Sequence, residues 1–310
     1  MISCPNVKVN LGLSVLRRRP DGYHDLETLF VPFFGLHDTL EIITGDDYSR
    51  TSAGIFSRYS AGSGCCPAGV SSITDSCARL AQAISDDAKV MVTIARAEGV
   101  DWDPLKDLTA KAYRILDADF NLPPVKIFLE KTSPVGAGLG GGSADAAFAL
   151  RMLNELFSLN LDDTTLAAYA ARLGSDCAFF IYNRPMLGTG RGEVLEPYSM
   201  TGIDFSGCRE DGAASYDLKV IVPEGIGVST ADAYRGITPR EASGTVLCPL
   251  MEALSLSVPE WKDSLVNDFE TTVFAKFPEL AEMKRRLYAE GAVYASMSGS
   301  GSALFGLFRR

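Results

Sequence analysis

Apolar and polar residues alternate from position 7 to 16, with Val7, Val9, Leu11, Leu13 and Val15 on one face and Lys8, Asn10, Gly12 and Ser14 on the other. A period of two predicts a strand, with Lys8 and Asn10 pointing together away from the core. Turn chemistry follows at Arg19-Pro20-Asp21-Gly22, and strands are expected near 26–34 and at Thr39–Ile43. Val90–Ala95 and Val125–Glu130 read as further strands, separated by a helix-like stretch at 108–118. Ala146, Ala149, Leu150, Leu153, Leu156 and Phe157 then recur at helical spacing. A second helix follows Asp162-Asp163 and stops at Gly174, a residue suited to the position past a helix end. Beyond it the pattern predicts a strand at 218–222, helices near 230–234 and 278–290, and strands 293–297 and 303–308 around the loop 298–302.

Residues 46 to 88 break this regularity. They are rich in Ser, Gly and Asp, contain the pair Cys65-Cys66 and offer one short helix near 75–84. We read them as an inserted surface excursion. The whole chain of 310 residues is 46% hydrophobic and 22% charged, an ordinary globular composition long enough for two domains with a large core. Its net charge of −10 repels a phosphate backbone on average, and the densest basic run, Arg17-Arg18-Arg19, reads as solvated surface, so nucleic acid is excluded as a partner. Seven scattered cysteines without a C-x-x-C pair, and only two histidines, exclude a zinc site of normal spacing and favour a reducing compartment. Lys8 and Asn10 interrupt the first apolar run, which therefore does not read as a signal peptide, and no stretch approaches the ~20 apolar residues of a membrane span. The expectation is a cytoplasmic protein with no membrane partner, monomeric or homodimeric.

The chemistry concentrates where the strand Val125–Glu130 runs into Pro134-Val135-Gly136-Ala137-Gly138-Leu139-Gly140-Gly141-Gly142-Ser143-Ala144-Asp145. Five glycines in seven residues let backbone N–H groups approach an anion, and the helix that opens there adds partial positive charge. A flexible linker rarely has an apolar strand on one side and an amphipathic helix on the other. Gly136, Gly138 and Gly141 also satisfy G-x-G-x-x-G, but no acid sits about 20 residues on at the end of a second strand, and no Lys-Ser or Lys-Thr completes a Walker A loop. The glycines alone indicate a phosphate cradle and leave its kind open.

The neighbouring motifs narrow it. Pro5-Asn6-Val7-Lys8-Val9-Asn10-Leu11, Arg19-Pro20-Asp21-Gly22-Tyr23-His24, the glycine segment and Met297-Ser298-Gly299-Ser300-Gly301-Ser302 occur in an order that resembles the GHMP kinase superfamily. Arg-Pro-Asp-Gly-Tyr-His, together with Leu173-Gly174-Ser175-Asp176, Gly188-Thr189-Gly190-Arg191-Gly192-Glu193 and Asn267-Asp268-Phe269-Glu270, resembles its 4-diphosphocytidyl-2-C-methyl-D-erythritol kinase family. The resemblance covers nearly the whole chain except about 46–88.

It implies an α+β, two-domain GHMP kinase fold with the active-site cleft between the domains: an ATP-binding part at about 1–186, carrying the insertion, and a substrate-binding part at about 187–310. It implies ATP-dependent phosphorylation of a hydroxyl on a small CDP-linked substrate in non-mevalonate isoprenoid precursor synthesis, with ATP and Mg²⁺ as cofactors. Asp176 takes the base role with Lys8 beside it, a pairing that keeps the carboxylate ionised and offsets charge on the moving phosphoryl group. Lys131, Pro134, Gly136, Ala137, Gly138, Leu139, Gly140, Gly141, Gly142 and Ser143 fall to the nucleotide, Ser143 also to Mg²⁺. Asn10 and Thr230 fall to the substrate's diol; Tyr23, His24 and Tyr234 fall to its cytosine. Gly299 to Gly301 would back the phosphate loop. The family often has Asn-Leu where this chain has Asp107-Leu108, near the adenine pocket. Rival readings are a homoserine- or phosphomevalonate-type GHMP kinase, against which Tyr23-His24 argues, a Rossmann oxidoreductase, and a non-catalytic nucleotide-binding relative.

Overall fold

The computed structural model describes residues 1–45, 47–60, 79–208, 212–243 and 248–310, and packing divides them into two compact units that interleave along the chain. The first comprises Met1–Pro5, His37–Ser133 and Gly141–Ile181; the second comprises Asn6–Leu36, Pro134–Gly140 and Tyr182–Arg310. This division by packing differs from a cut of the chain at 186, because the first long strands and half of the glycine loop belong with the C-terminal segment.

The first unit is built on a five-stranded sheet in the order Ile2–Ser3, Thr39–Ile43, Val125–Glu130, Val90–Ala95, Leu80–Ile84. All neighbours are antiparallel except Val90–Ala95 and Val125–Glu130, which run parallel. A parallel pair needs a crossover, and the helix Leu108–Phe120 lies within that connection. Asp107 caps this helix by accepting from the Thr109 backbone N–H at 2.9 Å. The helices Gly141–Leu156, Asp163–Leu173 and Cys177–Tyr182 complete the unit.

Residues 46–88 are not wholly the excursion expected. Arg50–Ser60 is a helix whose Ile55 packs with Ala95 and Phe128, with Tyr48, Phe56, Tyr59 and Leu80 against them. Leu80–Ile84, expected within a helix, is the edge strand of the sheet. Its alanines favour a helix, but five residues pairing with Val90–Ala95 across a short turn outweigh that weak propensity. Residues 75–78 of the expected helix, together with Cys65, Cys66 and Cys77, fall outside the described residues.

The second unit contains two four-stranded sheets, Asn6–Arg18, His24–His37, Met186–Thr189, Val194–Pro197 and Ile203–Asp204, Tyr216–Ile221, Leu304–Arg309, Ala292–Met297. The apolar face of Asn6–Arg18 divides between two cores. Val7, Val9 and Leu11 pack with Leu29, Val31, Leu139, Trp261, Tyr294 and Phe305, while Leu13 and Val15 join Phe269, Val273, Leu280, Leu287 and Leu304. The opposite face is buried as well, since Lys8 and Asn10 are only 3% and 2% exposed. That face was expected to point away from the core. It is covered by the segment Pro134–Gly140, whose Leu139 carbonyl accepts from the Lys8 backbone N–H at 2.9 Å.

Candidate active site

The strand period sets Lys8 and Asn10 side by side, and the glycine segment closes over them. The Lys8 ammonium donates to the Asn10 amide oxygen at 2.5 Å and to the Gly138 carbonyl at 3.0 Å, and it lies 5.3 Å from the centre of the Phe30 ring. Asn10 in turn donates to the Thr28 hydroxyl at 3.0 Å. Gly188 makes this possible from below, because a Cβ there would meet Phe30 at 2.4 Å.

Within the loop, Ala137 and Leu139 are buried apolar anchors, whereas Gly136 is exposed. The Ala137 carbonyl accepts from the Ala303 N–H at 3.0 Å, and the Ser298 hydroxyl donates to the Gly138 carbonyl at 3.1 Å. The 298–302 loop therefore backs the glycine segment, as its motif suggested. Asn267 holds that backing loop by donating to the carbonyls of Met297 and Gly299 at 2.7 and 2.8 Å.

In the first unit, the helix beginning at Gly141 starts over a buried charge cluster. Lys131, expected beside the nucleotide, is 5% exposed and donates to Asp38, to the Ser133 hydroxyl at 3.0 Å and to Asp145 at 2.6 Å. Those three bonds match the three donors of an ammonium. Asp38, which no motif drew attention to, also accepts from the backbone N–H groups of Thr132 and Ser133 at 2.7 and 2.6 Å. Burial opposes the charge on Asp38, but Lys131 and the bonds from Lys131 and Ser133 outweigh it and hold the carboxyl below its usual range. Burial dominates at Asp145 and pushes its carboxyl well above that range.

Ser143 is half-buried on the first turn of the same helix. Its hydroxyl hydrogen-bonds the buried Cys177 thiol, which burial pushes up to about 12. Asp176 immediately precedes the helix Cys177–Tyr182 and is half-exposed. Gly174 between the helices is extended rather than left-handed. Its role is space: a Cβ there would stand 3.2 Å from the Cys177 sulfur and 4.0 Å from the Ser143 hydroxyl. Asp107, at the expected adenine region, uses its carboxylate to cap its helix and to accept from the Trp102 indole at 3.2 Å.

In the second unit, the turn before His24 and the short helix Thr230–Arg235 bring two expected residues together. The His24 and Tyr234 rings stack with centroids 4.9 Å apart and planes 18° from parallel, and Tyr234 sits edge-on to Phe269 at 4.7 Å. Tyr23 is 57% exposed, and the guanidinium of Arg191 lies 5.0 Å from its ring centre. The motif Gly188–Glu193 by itself assigns Arg191 no role. The Thr230 hydroxyl lies 3.2 Å from that of Ser300. A cleft of about 690 Å³ lies against His24 and Tyr234, lined also by Arg17, Arg18, Arg235 and Glu241. Arg17 and Arg18 are thus part of a cleft wall, and Arg17 and Arg19 pair with Asp25. Burial, then the charge of Arg18, lowers the His24 pKa from its ordinary value.

Among the described residues no cluster of three His, Cys, Asp or Glu side chains could cage a metal, and no helix is long and apolar enough to cross a membrane.

Family models for the GHMP kinases N terminal domain and the GHMP kinases C terminal match residues 107–184 and 250–310. A Bacteroides fragilis protein named 4-diphosphocytidyl-2-C-methyl-D-erythritol kinase is 40% identical over 308 residues, covering 99% of this chain and 92% of the relative. A crystal structure of 4-(cytidine 5'-diphospho)-2C-methyl-D-erythritol kinase is similar with a TM-score of 0.67 at 30% identity, covering 99% of this chain and 90% of that one. Methanococcus jannaschii mevalonate kinase shares the fold at a TM-score of 0.60 and 12% identity, covering 100% and 90%.

Proposed function

The chain belongs to the GHMP kinases and, within them, to the 4-diphosphocytidyl-2-C-methyl-D-erythritol kinase family, and on that premise we propose that it transfers the γ-phosphoryl group of ATP to a hydroxyl of that CDP-linked alcohol. Phosphoryl transfer asks a protein for in-line positioning and charge neutralisation. The observation that most supports the reading is the buried ammonium of Lys8, aimed by the Asn10 amide oxygen and the Gly138 carbonyl. A fixed cation of this kind stabilises charge that grows on the phosphoryl oxygens.

Asp176 accepts the proton of the attacking hydroxyl as the new O–P bond forms and ADP leaves. The N–H groups opening the helix at Gly141 receive phosphate oxygens. Ser143 offers a half-buried hydroxyl on that turn, an oxygen ligand that fits Mg²⁺. When bound, Mg²⁺ neutralises charge on the phosphates. Tyr23, His24 and Tyr234 hold the cytosine, with Asn10 and Thr230 toward the diol. In this reading the 1–186 part carries the ATP residues together with Asn10, Tyr23 and His24, and the 187–310 part supplies Thr230 and Tyr234 to the acceptor. A buried thiol at Cys177 and free cysteines at 4, 208 and 248 suit a reducing, cytoplasmic setting.

The test is ATP consumption measured in parallel with CDP-methylerythritol, homoserine and mevalonate. Turnover dependent on the first alone is expected. Comparable turnover with homoserine or mevalonate would overturn the substrate assignment, and no ATP consumption with any acceptor would overturn the kinase reading.

A further inference from the structure

We propose that Asp38 is a positioning residue for nucleotide binding, acting through Lys131 and Ser133 on the first turn of the helix that begins at Gly141. This rests on the reading that the helix N-terminus receives the phosphates of ATP. Gly141 packs so closely on the cluster that a Cβ there would lie 2.3 Å from the Ser133 hydroxyl and 3.1 Å from the Lys131 nitrogen. The place of the first N–H groups therefore follows the place of those two side chains. Both are fixed by one carboxylate: Asp38 accepts from the Lys131 ammonium, the Ser133 hydroxyl at 2.6 Å, and the backbone N–H groups of Thr132 and Ser133. It is fully buried, so the bonds are not in exchange with water.

The second carboxylate of the cluster is built differently. Asp145 accepts from Lys131 through one oxygen at 2.6 Å, while its other oxygen is buried without a hydrogen-bond partner. A charge needs its lone pairs satisfied when buried, and Asp38 accepts from four donors where Asp145 accepts from one, so Asp38 is the better-satisfied carboxylate of the two. Ionising both carboxylates would leave a net negative charge below a helix end that is to receive phosphate. The two acids around one lysine are thus not equivalent: Asp38 positions as a charged group, Asp145 only completes the shell.

Asp38→Asn and Asp145→Asn separate these roles, because each keeps shape and removes the capacity for charge. The purified full-length variants are measured for ATP dissociation constant without acceptor, for kcat and both KM values, and for thermal midpoint. Asp38→Asn should weaken ATP binding about tenfold, leaving the acceptor KM and the kcat at saturating ATP within about twofold. Asp145→Asn should weaken ATP binding by about twofold or less. A purely structural role for Asp38 would lower the midpoint and the active fraction, and so kcat, without moving the ATP constant, and that result overturns the proposal. Equal weakening of ATP binding in both variants overturns it too. If Asp38→Asn does not fold, Ser133→Ala removes one link of the chain and should still weaken ATP binding about threefold with the acceptor KM unchanged; an unchanged ATP constant there is decisive against. A parent protein that consumes ATP while Asp38→Asn binds it normally defeats only this inference, whereas a parent that binds no ATP defeats the kinase reading as well.

Discussion

Replacing Gly138 with alanine tests how tightly the glycine loop, its backing loop and Lys8 are joined. The residue has φ +76°, and an added Cβ would fall 2.2 Å from the Ser298 carbonyl oxygen and 3.0 Å from both the N and O of Gly301. All three obstacles are backbone, which cannot swing aside as a side chain would. Left-handed backbone costs alanine about 1–2 kcal/mol, and prising apart two packed loops costs about 1–3 kcal/mol more. The sum, roughly 2–5 kcal/mol, corresponds to a fall of about 4–20 °C in the thermal midpoint at about 2–4 °C per kcal/mol. The Gly138 carbonyl also holds the Lys8 ammonium at 3.0 Å, and a displacement near 1 Å at a reacting group lowers turnover by about 10²-fold. Gly136→Ala supplies the control. Its φ is +72° but nothing lies within 4 Å of the Cβ position, so only the backbone strain applies, about 1–2 kcal/mol. Calorimetry and steady-state kinetics on both variants decide the matter. If the two lose the same stability and Gly138→Ala keeps its kcat, the close approach of the loops does not carry the energy assigned to it.

Asp176→Asn should lower kcat by about 10²–10⁴-fold with ATP binding retained; near-normal turnover would remove Asp176 from the base role. Tyr23→Ala should raise the acceptor KM by the loss of about 1–3 kcal/mol of stacking while leaving the ATP KM alone, and an equal rise in both would make Tyr23 structural. Because His24 is held below its ordinary 6.5 by burial and then by Arg18, its imidazole is neutral at pH 7 and protonates at lower pH than an unfolded histidine. Its contribution to stability is therefore full above about pH 6.5 and declines as the pH falls through that range and below. The acceptor KM should be flat from about pH 7 upward and rise only in acid, at a higher pH in Arg18→Ala than in the parent. A KM that changes above neutrality, or is indifferent to Arg18, would disprove this account.

Much of this was legible in the sequence where period and turn chemistry acted locally. The alternation beginning at Val7 gave a strand, observed as Asn6–Arg18, and the helical spacing after Ser143 gave Gly141–Leu156. Leu80–Ile84 was misread because a five-residue run rich in alanine carries no period strong enough to reveal a distant sheet edge. The short strands Met186–Thr189 and Val194–Pro197 were missed for a similar reason, since four residues are too few to show alternation. For the site, the motifs pointed to Lys8, His24 and Tyr234, but pairing across 210 positions of sequence, as in the His24–Tyr234 stack, is a product of tertiary packing. Asp38 was invisible for the same reason: its ammonium, hydroxyl and N–H donors lie more than 90 residues along the chain.

The interleaving of the two units also sets an order of events during synthesis. The strand Asn6–Arg18 leaves the ribosome early, yet Trp261, Tyr294 and Phe305, which cover Val7, Val9 and Leu11, are made near the end. At about 5–20 residues per second, the interval from Leu36 to Phe305 is roughly 13–54 s. During that time the apolar strand has Leu29, Val31 and Leu139 but lacks these later partners, whereas every residue of the first unit is made once Ile181 is. A nascent chain of this design leaves part of the apolar face of that hairpin uncovered until Phe305 is made. It should therefore depend on holding chaperones more than a kinase whose units follow one another along the chain.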